Sequence, residues 1–382
     1  ISIFSSWIFE IRRIGREEPN AMNTSCEKPQ LIPSSSPYKE KIKRIQGTDA
    51  CAEAAARERQ QRLAKPAGSL GLLEDIAVQY AGITGRQDSS IRKKGLFLFG
   101  ADNGVYEEGV ATAPQEFTRK LLLSYAHVRR CGINVICDAN DVKLKLVNMG
   151  VKGELHHPRI DDRKLMDGTN NFAKGTPAMP RTIVEQAIQI GFDYAAWAKK
   201  ESYDILGTGE VGMANTTTAT ACIFAGLDIR ESRFVGTGAG LSPDGLTRKK
   251  RVIQNALIFL QPIPGDGLDI LSKVGGLDIA AMVGLYLGAA YYRIPVVVDG
   301  LISIAAALLA SFLQPLVRTF LFASHRSAEP AYQLAADALG LTPMLNLNMR
   351  LGEGTGCPLA MRIIETALGV SNSMCTFEEL AP

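Results

Sequence analysis

The sequence predicts an α/β fold, a doubly wound parallel sheet of about six strands with a small helical lobe built from both ends of the chain. Three observations predict it. From residue 92 onward, short β-branched or aromatic runs alternate with helical stretches. Most of those runs lead into glycine-rich turns, where such sheets bind ligands. A helical stretch, residues 38–85, precedes the first run.

The candidate strands are Gly95–Phe99, Val142–Val147, Tyr203–Leu206, Arg233–Val235, Ile294–Val298 and Phe320–Ala323. Helices are expected over 182–199, 213–226, 244–260, 277–292, 303–313, 328–339 and 358–368. Gly340 and Gly369 stand where C-terminal caps belong, and Asp244 where an N-cap belongs. Ser324 or Ser327 is a candidate cap for the helix over 328–339. The expected organisation is an upstream or disordered segment (1–36), the N-terminal part of a small lobe (37–91), the α/β domain (92–340) and a returning C-terminal part (341–382). The Ser/Pro-rich stretch Ile32–Pro37 reads as a linker.

Composition narrows the function classes. Of 382 residues, 46% are hydrophobic and 21% charged, ordinary for a globular chain. A net charge of +3 gives no reason to expect a nucleic-acid or membrane surface. The longest apolar run, Gly300–Leu313, falls short of the ~20 residues a spanning helix needs. Seven cysteines without a C-x-x-C pair argue against a disulfide framework and for a reducing, cytoplasmic setting. No histidine or cysteine spacing suggests a metal site. The basic run Arg248–Arg251 reads as a solvated helix face.

Four loops carry candidate chemistry. Gly352-Glu353-Gly354-Thr355-Gly356 sets one acid among three glycines, so Glu353 is the group able to reach a ligand. Gly207-Thr208-Gly209-Glu210-Val211-Gly212 matches G-x-G-x-x-G and is expected as a strand-to-helix turn. Glu210 would set negative charge beside a pyrophosphate, so a single phosphate or a ribose fits this turn better. Asn215 and Thr216 follow as possible donors. Gly236–Gly240 is a third turn, with Lys249 in the next helix as a possible anion partner. Val296-Val297-Val298-Asp299-Gly300 ends a strand in one acid, expected to orient its neighbours. A dinucleotide-dependent oxidoreductase and a non-catalytic nucleotide-binding protein stay open as alternatives.

Other stretches complete a pattern: Lys65-Pro66-Ala67-Gly68-Ser69-Leu70-Gly71, Ala101-Asp102-Asn103-Gly104-Val105, Glu107-Glu108-Gly109-Val110, Lys273-Val274-Gly275-Gly276, His325-Arg326-Ser327-Ala328-Glu329 and Met349-Arg350-Leu351-Gly352-Glu353. With the loops above, and in this order, they resemble the nicotinate-nucleotide–dimethylbenzimidazole phosphoribosyltransferase family over about residues 60–370. The resemblance implies a homodimer that takes nicotinate mononucleotide and a benzimidazole-type base, with no cofactor and no metal. It puts the general base at Glu353 and a second catalytic acid at Glu210. It puts substrate contacts at Gly212, Asn215, Thr216, Gly238, Lys249, Ala113, Leu121, Leu351 and Ser327. The chain departs from the family pattern at Asn103, where a histidine is common, and at Ala67, where a proline is. Ala113 and Leu121 are apolar where some relatives carry Ser or Gln.

Overall fold

The computed structural model describes residues 37–127 and 131–380; the expectation for residues 1–36 lies outside them. Six parallel strands form one sheet in the order β3-β2-β1-β4-β5-β6. They are β1 (Lys94–Ala101), β2 (Val142–Gly150), β3 (Ile160–Asp162), β4 (Ile205–Val211), β5 (Val296–Val298) and β6 (Leu321–Ala323). The chain steps outward from β1 to β3, then returns to β1's other side with β4. That reversal opens a crevice beyond the carboxyl ends of β1 and β4, where open parallel sheets bind ligands.

Helices enclose both faces. In chain order they are α1 (Tyr38–Ile42), α2 (Ala50–Arg62), α3 (Leu72–Thr84), α4 (Glu116–Ala126), α5 (Gly132–Ala139), α6 (Arg181–Lys200) and α7 (Asn215–Leu227). Then follow α8 (Pro243–Leu260), α9 (Gly267–Val274), α10 (Leu277–Tyr292), α11 (Leu301–Leu313), α12 (Pro330–Leu339), α13 (Gly356–Ser373) and α14 (Phe377–Leu380). The sheet is buried on both sides, so β1, β4, β5 and β6 are covered along their whole lengths. The two ends of the chain meet. Leu63 bridges Thr376, and the Arg59 guanidinium donates to the carbonyls of Ser371 and Met374.

The fold class agrees with the sequence; several elements differ. Arg233–Val235 is no strand: Ser232–Phe234 form a 3-10 turn, and Ile160–Asp162 supplies the sixth strand. The expected turn at Gly207–Gly212 is mostly strand, since β4 runs through Val211. Ser242, not Asp244, caps α8 by accepting from Gly245 N. Neither Ser324 nor Ser327 caps α12, whose N-cap position is Glu329. Gly340 ends α12 in a left-handed conformation as expected, whereas Gly369 lies inside α13.

The α6–α10 crossing depends on two absent side chains. A Cβ on Gly284 would lie 1.9 Å from the Ile188 carbonyl oxygen, and one on Gly191 1.9 Å from that of Ala281. Both obstructions are backbone, so neither helix can yield by a rotamer change. We expect Gly284→Ala to destabilise the protein by about 1–3 kcal/mol, the usual cost of overpacking. Gly369→Ala, also helical but with nothing near its Cβ, should be neutral or stabilising by up to ~1 kcal/mol. Denaturant midpoints of the two variants check this, and a Gly284→Ala midpoint equal to wild type would refute it.

Candidate active site at the crevice between β1 and β4

The site is built on the loop joining α12 to α13. Gly352, Glu353 and Gly354 have φ values of 79°, 62° and 82°. Three left-handed residues in succession reverse the chain and carry Glu353 over the end of β4. For a residue with a Cβ this region costs about 1–2 kcal/mol, so the surroundings must hold it there. Inside the loop, the Thr355 hydroxyl and amide both donate to the Gly352 carbonyl, at 2.8 and 3.0 Å. Outside it, two buried carboxylates take its amides. Glu210 Oε1 accepts from Glu353 N at 3.2 Å. Asp299 Oδ2 accepts from Gly354 N at 3.1 Å, and Oδ1 from Gly356 N at 2.8 Å.

The glycines of the hexapeptide therefore have a packing role. A Cβ on Gly209 would sit 2.5 Å from the Glu353 carbonyl oxygen. Bare strand lets the loop lie directly on β4. A phosphate-cradling turn needs exposed amides, and here they are spent in a buried parallel ladder. The dinucleotide reading of this motif fails on that ground.

Acids gather beneath the loop. Glu210 is the penultimate residue of β4, Asp299 follows β5, and Asp278 stands in the first turn of α10, closely after Gly275-Gly276. Burial, then the charge of Asp278, pushes the Glu210 carboxyl up to about 8. Burial pushes Asp278 and Asp299 each up to about 7. The Asn215 amide donates to Glu210 and acts on Asp278 too. Asp278 Oδ2 is buried without a partner. Half-buried Glu353 is raised as well, by burial; the Tyr125 hydroxyl of α4 offsets part of the rise, and Asp299 adds to it. Near neutrality such a group of acids holds protons that an arriving cation would displace, because opposite charge favours the ionised forms.

A second cluster lies beside the N-terminus of α7. Lys249 is completely buried, contrary to the expectation of a solvated face for Arg248–Arg251. Its Nζ donates to Thr216 Oγ1 and to the Gly236 carbonyl, both at 3.0 Å. Burial lowers it to about 8, against an opposing pull from Glu329. Glu329 Oε1 accepts from Gly238 N at 2.8 Å, and its Oε2 is buried without a partner.

The remaining predicted positions are distributed around these clusters. Buried Gly212 directly follows β4, ahead of the turn at Met213 and Ala214 that leads into α7. Asn215 spends its amide on Glu210. Ala113 and Leu121 are half-buried before and on α4, and Leu121 stands one turn from Tyr125. Leu351 is exposed, and Ser327 accepts from Glu329 N at 3.3 Å. Asn103 is buried after β1 and accepts from the Thr218 hydroxyl at 2.8 Å, which makes it an orienting residue. Sequence reasoning missed Asp278, Tyr125 and the part played by Glu329. Asp278 had a signal: it is the only charge in α10, two residues after a pair of glycines. Among the described residues, no group of His, Cys, Asp and Glu is arranged to hold a metal ion.

A family profile described as "Phosphoribosyltransferase" matches residues 45–381. The chain belongs to this phosphoribosyltransferase family. Nicotinate-nucleotide–dimethylbenzimidazole phosphoribosyltransferase from Clostridium perfringens strain 13 is 45% identical over 341 residues, covering 89% of this chain and 94% of that one. The enzyme of the same name from Chloroflexus aggregans is 43% identical over 339 residues, covering 88% and 96%. A crystal structure of the Thermus thermophilus enzyme superposes with a TM-score of 0.82 at 37% identity, over 87% of this chain and 98% of that one. Family membership and fold both set aside the oxidoreductase alternative.

Proposed function

We propose that this chain transfers the phosphoribosyl group of nicotinate mononucleotide to 5,6-dimethylbenzimidazole or a related base, with Glu353 as the general base. The observation that carries the reading is Glu353 itself, a half-buried carboxylate fixed over the acid-lined crevice between β1 and β4.

The chemistry asks little else of the protein. The leaving group is a pyridinium, already positive, so it departs without a general acid. The unprotonated nitrogen of the base attacks the anomeric carbon as the bond to nicotinate breaks, with inversion there. The other ring nitrogen then loses its proton to Glu353. The raised pKa of Glu353 makes it a stronger base than an exposed glutamate. Glu210 lies directly against the Glu353 loop, and its ionised form would stabilise the positive charge that develops on the ribose. Thr216, Gly238 and Lys249 would hold the phosphate, with Gly212 and Asn215 lining the approach and Ser327 near Gly238's partner Glu329. Ala113, Leu121 and Leu351 would border the acceptor.

The six described cysteines are free thiols, which supports a reducing, cytoplasmic setting. No helix among the described residues is long and apolar enough to cross a membrane. The homodimer rests on the family resemblance. The lobe boundaries near residues 91 and 340 are our reading, supported by the packing of the terminal helices on each other.

Three outcomes follow from this reading. Glu353→Gln should lower kcat by roughly 10²–10⁴-fold while donor affinity changes far less. A nicotinate-release assay decides it, and near-normal turnover would remove Glu353 from the role of base. The phosphate site should titrate. Lys249 is depressed to about 8 in the empty site and binds phosphate as the ammonium. Below that pH it is charged and the donor binds fully. Above it, a proton must be taken up on binding, so Kd for nicotinate mononucleotide should rise toward about tenfold per pH unit. Calorimetry from pH 9 to 10, above the range in which Glu210 and Asp278 give up their own protons, measures this, and a flat profile there would show that Lys249 does not meet the phosphate. Finally, apolar contacts from Ala113 and Leu121 discriminate weakly. Benzimidazole and its methylated derivatives should therefore be used within roughly 10–200-fold of each other, and adenine less well. In a competition assay, near-absolute rejection of unsubstituted benzimidazole would contradict an apolar wall.

A further inference from the structure

Asp299 has no substrate-facing surface. It is 1% exposed, and both of its oxygens are engaged by the loop that carries Glu353. Those two bonds go to alternate amides, Gly354 N and Gly356 N. One planar carboxylate can take both, whereas a neutral side chain of the same size has at most one comparable acceptor. Gly356 is the first residue of α13, and Thr355 at the N-cap position makes no side-chain cap bond. The carboxyl acceptor at this helix start thus comes from the residue after β5, at the end where helix dipoles favour its ionised form.

The location gives the contact its meaning. Asp299 directly follows β5, which is pinned to β4 by the pairs Leu206–Val296 and Gly207–Val297. Glu210, the other holder of the loop, lies on β4 three residues past Gly207. The loop is therefore held at two points by two adjacent strands in fixed register. Cys357 adds a tie from the loop's far side, its thiol donating to the Val297 carbonyl at 3.3 Å. A carboxylate just before a helix is drawn toward the open amides of its first turn, because the helix dipole favours an anion there. Here the amides that Glu353 would seek are already occupied, and its carboxylate turns instead to the Tyr125 hydroxyl on the side of α4.

We propose that Asp299 is a positioning residue for the reaction: it clamps the amides of Gly354 and Gly356 so that the Glu353 carboxylate projects to the acceptor instead of capping α13. The proposal rests on Glu353 being the base, and the test separates the two. Asp299→Asn keeps the volume and one acceptor but loses one clamp bond. It should lower kcat about 10- to 100-fold, the scale of a small misplacement of a catalytic group. KM for nicotinate mononucleotide should stay within about threefold, because the phosphate cluster is separate. The same substitution placed on Glu353→Gln should cost less than about threefold more, since residues acting through one group are not additive. A purely structural aspartate would cost as much in both backgrounds, and that result overturns the proposal. An active Glu353→Gln protein would instead overturn the base reading beneath it. Hydrogen exchange on the unsubstituted protein covers the case in which Asp299→Asn does not fold. The amides of Gly354 and Gly356 should exchange slowly for a glycine-rich loop, and rapid exchange of both shows that no clamp exists.

Discussion

The candidate active site depends on one interaction: buried carboxylates at the ends of two neighbouring strands accept the backbone amides of a left-handed loop. Nothing within Gly352–Gly356 fixes its path beyond the two bonds from Thr355 to Gly352. Glu210 and Asp299 supply the rest. Buried acids of this kind are costly, because removing a charge from water is repaid only partly by hydrogen bonds. The raised pKa values of Glu210, Asp278 and Asp299 express that cost. They also show why the arrangement suits its reaction. Acids that are reluctant to ionise in the empty site favour a ligand that brings positive charge, and the donor of the proposed transfer carries a pyridinium.

The proposed phosphate end repeats the design with the signs exchanged. Lys249 is a buried ammonium held by Thr216 and the Gly236 carbonyl, and Glu329 both steadies the Gly236–Gly240 turn and opposes the loss of the lysine's charge. A cation reluctant to stay charged waits for an anion. Two pockets of unfavourable electrostatics, opposite in sign, would thus face the two ends of one zwitterionic donor. Sheet topology brings them together, since Glu210 is the penultimate residue of β4 and the turn after that strand leads into α7, which carries both Asn215 and Thr216.

Much of the fold was legible because burial and periodicity agree. Val142–Val147 alternates apolar with basic residues, and Val296–Val298 is a β-branched run with nothing to compete for it. Ile160–Asp162 was missed because two of its three residues are acids, which local preference assigns to turns; pairing with β2 overrides this. Arg233–Val235 looked extended, yet the backbone closes on itself there, Val235 N donating to the Ser232 carbonyl. The hexapeptide misled because glycine usually marks a turn, whereas Gly209 stays in the strand to admit the loop above it. Lys249 was hidden in a basic run, although its spacing was informative. It lies four residues after Gly245 and before Ile253, on the face of α8 that is buried. Glu353, Glu210 and Asp299 were each readable as acids beside glycines; that the last two hold the loop of the first was not, because they come from distant stretches that only the sheet brings together.

The most direct test of Glu353's role is a crystal structure of the protein with 5,6-dimethylbenzimidazole bound. The account predicts one ring nitrogen at about 2.6–3.2 Å from a Glu353 carboxylate oxygen, the reach of a general base, with Glu353 N still bonded to Glu210. A base bound with both nitrogens turned away from Glu353, or a loop whose amides have left Glu210 and Asp299, would contradict it.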